Sequence, residues 1–396
     1  MIESTKSIKL TIILMRAMGL WYSSSKLEKF VSNLMLSLVL ALMIFSVYIQ
    51  SLELFFSRNS ITLITFVAPP AAVVITETSK LIVFVSKREK VSKLNKLVDH
   101  DFWKKSYTRE EEQIFNDCNN FCFKSITTCV LFMSGTCSNY IISPIIGMIT
   151  NSTGKREFPF PIRFHDGAYE SPLFELFFVL EFLATLAVGL CISTFTCYSF
   201  VINLFTATQF RILNLNLQSL CDFDENCKET ERDKYQLEAL QKLRNHIRRH
   251  QLLIGMTKEI EDLYCYVMLE QIFGSVSQTC FLGIQILLVK STYQRSFLAV
   301  IFLLSSFIQL YFYSYSSEAV FEASQDVSQA ISITKWFKIT HPKVRKEFKQ
   351  LMMIVAIRAR RPCILTVGKF YPLSVSTFTS VIGSSMSYFT ILRKLM

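Results

Sequence analysis

Charge is what this chain has least of: Asp, Glu, Lys and Arg make up 18% of its 396 residues, against about 25% in a soluble domain. The signatures of several chemistries are missing too. There is no GxSxG nucleophile elbow, no Gly-rich phosphate loop and no paired-carboxylate pattern, so no enzyme class is indicated. None of the 11 cysteines forms a CxxC, and Cys118 to Cys122 and Cys221 to Cys227 are spaced wrongly for a zinc or redox site; they read as reduced, structural thiols. His246 and His250 stand four apart, as metal ligands on a helix do, but "HIRRH" lacks the glutamate of a zinc hydrolase and reads as a solvated or interfacial face. No motif calls for a metal or cofactor. A cleavable signal peptide is absent as well: Ile8 to Tyr22 is interrupted by Lys9 and Arg16 and predicts an amphipathic interfacial or re-entrant helix.

What is abundant is apolar surface. Hydrophobic residues are 51% of the chain, with 35 Phe, and they fall into uncharged blocks rather than amphipathic stripes. Seven blocks are long enough to cross about 30 Å of hydrocarbon at about 1.5 Å per helical residue: Phe30 to Phe56, Ile61 to Val85, Phe121 to Ile149, Leu173 to Phe205, Leu263 to Val289, Phe297 to Tyr315 and Leu373 to Leu392. The fold class is therefore all-α, a polytopic protein of the lipid bilayer with seven transmembrane helices. Thirty-two of the 42 Lys and Arg residues fall on one side of this topology and eight on the other, which places the N-terminus in the cytosol and the C-terminus outside. The sequon at Asn151 falls in an external loop by the same count and is a candidate glycosylation site. The net charge of +11 is thereby explained by topology, without nucleic acid as a partner. The orientation is the reverse of that in G-protein-coupled receptors, and no DRY-type triplet follows the third span.

The divisions expected are a cytosolic segment over 1–29, six spans over 30–325 with a cytosolic helical extension over 206–262, cytosolic anchor helices over 326–362 and a final helix over 363–396. In the extension, Leu237, Leu240, Leu243, Ile247, Leu253 and Ile254 recur at near-helical spacing among charges, so the fifth span begins well inside the cytosol. The anchor segment breaks at His341-Pro342 and Arg361-Pro362. Within the spans, Glu77 and Lys80 stand one turn apart and suit a local ion pair with a snorkelling lysine. Glu181 lies about two turns inside the fourth span, where a carboxylate faces a cavity or costs dearly, whereas Glu53, Glu175 and Glu270 lie nearer helix ends, where solvation is easier. The outer halves of the spans carry aromatic and small polar residues of the kind that line a site for a small apolar molecule: Phe66 and Pro69, Asn139, Tyr140 and Ser143, Phe178 and Phe182, and Gln278 and Phe281. At 100° per residue, Ser376, Thr377, Ser380, Gly383, Ser384 and Ser387 share one side of the last helix and lead to Ile391 and Leu395, a wet wall ending in an apolar constriction.

"QLMMIVAIRARRPCILTVGKFYPLSVSTFTSVIGSSMSYFTILRKL", together with "SEAVFEASQDVSQAISITKWF" and "LRNHIRRHQLLIGMTKEIEDLYCYVMLEQ", closely resembles the C-terminal signature of insect odorant receptors. The likeness is strong from Asn245 to Met396 and rests on architecture elsewhere. It implies an odorant-gated, non-selective cation channel subunit in a heterotetramer with the olfactory co-receptor, in the cell membrane of olfactory sensory dendrites. A small volatile odorant would bind in the outer half of the bundle. Ser380, Ser384, Ser387, Ile391 and Leu395 would line and gate the pore. The fourth-to-fifth connection is shorter than the co-receptor's, which points to a ligand-tuning subunit, and the QF-type ending of gustatory receptors is absent. Arg393 and Lys394 depart from the co-receptor's uncharged pattern. A gustatory-type channel and a transporter are the alternatives, and the internal repeats that a transporter predicts are not found.

Overall fold

A computed structural model describes residues 6–21, 25–103, 106–150, 156, 158–160, 166–222, 229–288 and 293–395. Ten α-helices carry the architecture: α1 (Lys6–Ala17), α2 (Lys26–Phe56), α3 (Ile61–Ser86), α4 (Arg88–Val98), α5 (Arg109–Thr150), α6 (Leu173–Gln218), α7 (Glu229–Leu288), α8 (Tyr293–Ile333), α9 (Pro342–Ala359) and α10 (Val375–Leu395). All seven expected spans are helical, and four belong to helices that outrun any bilayer. The 60 residues of α7 correspond to roughly 90 Å, about three times the hydrocarbon thickness. Five helices, α2, α3, α5, α6 and α8, are long and apolar enough to cross a membrane by composition alone. The two more polar spans, α7 and α10, pack against each other.

Helix α6 is the axis of the bundle. It packs against α1, α2, α3, α5, α7 and, most extensively, α8, and every residue from Cys191 to Phe210 is buried. A helix that is apolar on all sides has no other stable place. Beyond the apolar zone the same helices remain packed. Asn214 donates to the Ala323 carbonyl (3.0 Å), Thr334 Oγ1 donates to the Leu217 carbonyl (2.9 Å), and the Gln236 carboxamide oxygen accepts from the Thr340 and His341 backbone amides (3.0 and 2.8 Å). His341 caps α9 by accepting from the Val344 amide, with Pro342 at the first turn, where a missing N–H costs nothing. The division expected at 325/326 is crossed without a break by α8, because no proline or glycine interrupts Phe297 to Ile333. Helix α1 is likewise docked on the bundle, with Ser7, Ile8, Thr11 and Met15 buried and Ser7 Oγ donating to Asn119 Oδ1 at 2.7 Å. The turn after it needs Gly19, at φ +72°, because a Cβ there would sit 2.1 Å from the Ser32 carbonyl oxygen.

The link from α9 to α10 is a two-stranded hairpin, β1 (Thr366–Val367) and β2 (Tyr371–Pro372), bolted to the bundle. Glu261 of α7 accepts from both the backbone amide and the hydroxyl of Thr366, and the Gly368 amide donates to the Cys265 carbonyl at 2.9 Å. Gly368 holds φ +58°, and a Cβ there would meet Leu269 at 2.8 Å. Helix α10 then begins on two caps: Ser374 Oγ accepts from the Thr377 amide, and Glu318 of α8 accepts from the Val375 amide at 3.0 Å, a carboxylate placed at the positive end of the helix dipole.

Two titratable side chains sit where the sequence did not place them. Lys80 does not snorkel. It is 0% exposed, and its Nζ lies 2.5 Å from Glu77 Oε1 and 2.5 Å from Gln271 Oε1 of α7. Gln271 donates in turn to Gln309 Oε1 of α8 (3.0 Å), and Gln309 donates to Glu77 Oε1 (3.2 Å) and Thr196 Oγ1 of α6 (3.3 Å), closing a ring that, with the Thr196 branch, spans four helices. Enclosed by α6, α7 and α8, the lysine has no route to water, so its charge is met inside the bundle. His250 is also buried, 5% exposed and edge-on to Phe210 at 6.2 Å, rather than on a solvated face. Its place at the interior follows from sharing a helix face with Leu243 and Leu253, both fully buried. His246 remains half-buried, and among the described residues no three His, Cys, Asp or Glu side chains are gathered as metal ligands.

Replacing one member of the ring strands the other. Lys80→Met is expected to destabilise the protein by about 3–5 kcal/mol, and Glu77→Gln combined with Lys80→Met to recover most of that loss. Thermal unfolding of the purified variants in detergent measures the cycle, and a Lys80→Met protein as stable as wild type would mean that the pair is hydrated. The second prediction concerns pH. Burial, reinforced by the nearby Arg358 charge, pushes His250 from 6.5 down to about 4. The unfolded chain therefore takes up this proton first, so stability is full above about 6.5 and falls as the pH drops towards 4. Between pH 7 and pH 5 the wild type is expected to lose about 2 kcal/mol more than His250→Gln does, from the 1.36 kcal/mol carried by each pH unit; parallel unfolding curves at the two pH values test it.

Candidate functional site

Five helices leave a small cavity of about 60 Å³ in the half of the bundle away from the basic connections. Its lining follows helical faces. Met133, Thr136, Cys137 and Tyr140 come from α5, Thr185, Val188 and Ile192 from α6, Pro70, Val73 and Val74 from α3, Phe302 and Ser305 from α8 and Ser46 from α2. Phe160, from the connection between α5 and α6, closes it. The wall is more apolar than its residue names imply. Thr136, Thr185 and Ser305 each donate their hydroxyl to a carbonyl of their own helix, at 3.0, 2.8 and 2.7 Å, so they present oxygen lone pairs, and the threonines a methyl group, but no free proton. Walls of this character suit small, mostly apolar molecules.

The rim is aromatic. Tyr140 stacks on Phe160 with centroids 5.5 Å apart and meets Phe302 edge-on at 5.7 Å. Phe160 is held by Glu181, whose Oε2 accepts from the Phe160 amide at 3.2 Å. The intramembrane carboxylate thus fixes the loop aromatic that seals the cavity, while Glu181 itself is buried and outside the lining. Tyr140, Phe160 and Pro70 are shared with a second, smaller cavity, completed by Ile49, Gln50, Glu53, Phe66 and Val67. Glu53, expected to be easily solvated near its helix end, is 2% exposed and accepts from Ser57 Oγ. Prolines 69 and 70 give up two backbone hydrogen bonds of α3 at this level.

Of the residues anticipated from sequence, Tyr140 lines both cavities and Phe66 the smaller one. Pro69 is adjacent to the lining Pro70. The others stand apart from both: Asn139 donates to the Gly135 carbonyl of its own helix, Phe178 packs on Phe174 at 5.8 Å, Gln278 is buried beside Gly274, and Ser143, Phe182 and Phe281 are half-buried without lining either cavity. Asn151 lies outside the described residues. The lining residues missed are mainly valines, small residues and Phe160.

Below the cavity floor lies the buried ring. Val73, Ile192 and Ser305 of the floor are each one helical turn from Glu77, Thr196 and Gln309, so the pocket and the ring share three helices. The ring's fourth helix, α7, together with α8, carries α10. Phe378 packs edge-on against Tyr311 of α8 at 5.6 Å and Ser385 is fully buried, whereas Ser376, Ser380, Gly383, Ser384 and Ser387 are exposed along the opposite side. Ser380 and Ser387 donate to the carbonyls one turn back, at 2.9 and 3.0 Å. The backbone of Ile391 and Leu395 continues the helix, but their side chains, like those of Arg393 and Lys394, lie outside the described set.

Comparison with known proteins places this arrangement. The profile of the family described as 7tm Odorant receptor matches residues 60–386. Odorant receptor 10 of Aedes albopictus is 24% identical over 269 residues, covering 67% of this chain and 68% of its own length. Odorant receptor 13a of Drosophila melanogaster is 23% identical over 284 residues, 68% of this chain and 64% of its own, and Odorant receptor 9a of the same fly is 32% identical over 145 residues, 36% and 35%. The solved structure of the insect olfactory receptor OR5 from Machilis hrabei in complex with eugenol superposes with a TM-score of 0.83 over 99% of this chain and 98% of that one, at 15% identity. With the profile spanning most of the sequence and the helices sharing that receptor's fold, the chain belongs to the 7tm odorant receptor family.

Proposed function

We propose that this odorant receptor is the ligand-tuning subunit of an odorant-gated, non-selective cation channel, assembled as a heterotetramer with the olfactory co-receptor. It would sit in the dendritic membrane of olfactory sensory neurons, with its basic end in the cytosol. The observation that carries the reading is the apolar cavity rimmed by Tyr140, Phe160 and Phe302. It is too apolar for a polar metabolite and suits a small volatile molecule whose binding is driven by leaving water. The exposed serine face of α10 supports the pore assignment, since hydroxyls on an open helix face can share a water-filled path with neighbouring subunits. Ser380, Ser384 and Ser387 line that path in this reading, with Ile391 and Leu395 as its constriction.

Assembly is supported by α9. Met353, Ile354 and Ile357 are 54%, 63% and 66% exposed on a helix outside the apolar spans, where neither lipid nor the chain itself covers them and a neighbouring subunit would.

Co-expression with the co-receptor in voltage-clamped cells, against a broad panel of volatiles, tests the proposal. An odorant-evoked cation current is expected. Val188→Trp, which fills the cavity from α6, is expected to raise the half-maximal odorant concentration at least about tenfold, while Phe281→Ala, outside the lining, shifts it less than about threefold. Silence across the panel despite surface expression would sink the channel reading, and ligand flux without current would favour a transporter.

A further inference from the structure

Helix α4 is amphipathic on three sides rather than two. Val91, Leu94 and Val98 face the core. Lys90 lies 3.6 Å from Asp262 and 4.0 Å from Glu259 of α7, and just before the helix Lys87 donates to the Asp262 carbonyl. The third side opens on a groove of about 510 Å³, where Lys29 and Asn33 of α2 face Arg88, Glu89, Lys93 and Lys96 of α4. Four cations thus share this space with one carboxylate. Among the described residues, none of the four has an ion pair or a side-chain hydrogen bond, in contrast to Lys90 on the same helix. Like charges gathered around a cavity repel one another, and the arrangement costs least when an anion occupies it.

The position of the groove restricts the anion. The apolar run of α2 starts at Phe30 and that of α3 ends at Val85, so Lys29 and Arg88 mark the boundary of the hydrocarbon on the basic side. Immediately beside Lys29 and Asn33, the α2 side chains Leu27, Phe30, Val31 and Leu34 are 72%, 67%, 46% and 59% exposed and climb away along the outside of the bundle. A charged cup at the membrane surface, continuous with an apolar wall, matches an anionic lipid lying against the protein. An excess of three positive charges is poorly met by a headgroup with a single net charge and well met by one with several phosphate charges.

We propose that the groove between α2 and α4 binds the headgroup of a polyphosphorylated inositol lipid of the cytosolic leaflet, with its acyl chains along Phe30 and Leu34. The site requires the membrane placement of the chain but not odorant gating, so it stands or falls separately from the channel function.

The test uses the full-length protein purified in detergent and fluorescent short-chain lipids followed by anisotropy, with phosphatidylinositol bisphosphate, phosphatidylserine and free inositol trisphosphate as three arms. The inositol lipid is expected to bind tightest. At about fivefold per charge removed, the triple variant Lys29→Gln, Lys93→Gln and Lys96→Gln weakens it about a hundredfold, and Lys90→Gln leaves it within about twofold. Glu89→Gln, which removes the one opposing charge, tightens binding about fivefold, a gain that misfolding cannot produce. The proposal is overturned if the triple variant and Glu89→Gln bind like wild type, if phosphatidylserine binds as tightly as the inositol lipid, or if free inositol trisphosphate does, which would make the groove a site for soluble anions.

Discussion

A lysine that cannot reach water sets the terms for the middle of this bundle. Lys80 is one turn from Glu77 on α3, but the pair alone leaves donors and acceptors unmet, and in hydrocarbon each unmet group costs free energy that no solvent returns. The side chains that add to it come from α7 and α8, with Thr196 of α6 bonded to the ring, and they leave Glu77 Oε2 as the carboxylate oxygen without a partner among the described residues. The four helices are therefore registered to one another at one level, to within the tolerance of a hydrogen bond. Greasy packing alone holds helices together in a membrane without fixing their axial position as tightly. The cavity floor one turn above, and the seat of α10 on α7 and α8, inherit that registration.

The spans were legible because lipid tolerates so little else: a long uncharged block has few fates besides a helix across the bilayer, and all seven blocks are helical. Their extensions were legible where apolar positions kept helical spacing among charges, as over Leu237 to Ile254. What the sequence did not disclose depends on contacts between distant residues. Lys80 and Gln271 are 191 positions apart, and nothing local distinguishes a lysine that snorkels from one met by a glutamine on another helix. His250 misled because Arg248 and Arg249 beside it are charged. The seven-residue step from Leu243 was the better guide, since neighbours in sequence do not share a helix face.

The pocket was half legible for a related reason. Tyr140 and Phe66 carry a polar tip or a large ring and attract notice, but Val73, Val188 and Ile192 are the same residues that fill any core, and periodicity cannot separate a wall from a filling. Phe160 lay outside every span and so outside the search. The one signal for it was Glu181, a carboxylate deep in an apolar block that needed a donor; the donor is the Phe160 backbone amide. A buried carboxylate was read as facing a cavity, and it instead holds a residue that lines one.

Two faces of the protomer reverse the polarity their surroundings would select. Along α10, at the level of the membrane, the uncovered residues are mostly serine, threonine and glycine, with Met386 among them; along α9, beyond the apolar spans, the uncovered side is Met353, Ile354 and Ile357. A lone protomer in a bilayer would do better with the two exchanged. Hydroxyls already bonded to their own backbone tolerate lipid, but they gain nothing from it and still offer lone pairs to water. Both reversals are accounted for together if several protomers stand around one axis: the α9 faces are then covered by neighbours, and the α10 faces surround shared water. The same symmetry carries the consequence of ligand binding. Under the proposed function, a molecule seated on Val73 and Ile192 would touch helices whose next turn is the ring, and because the ring's partner on α7 belongs to the helix that carries α10, the ring is the contact through which movement at the cavity would reach the proposed pore.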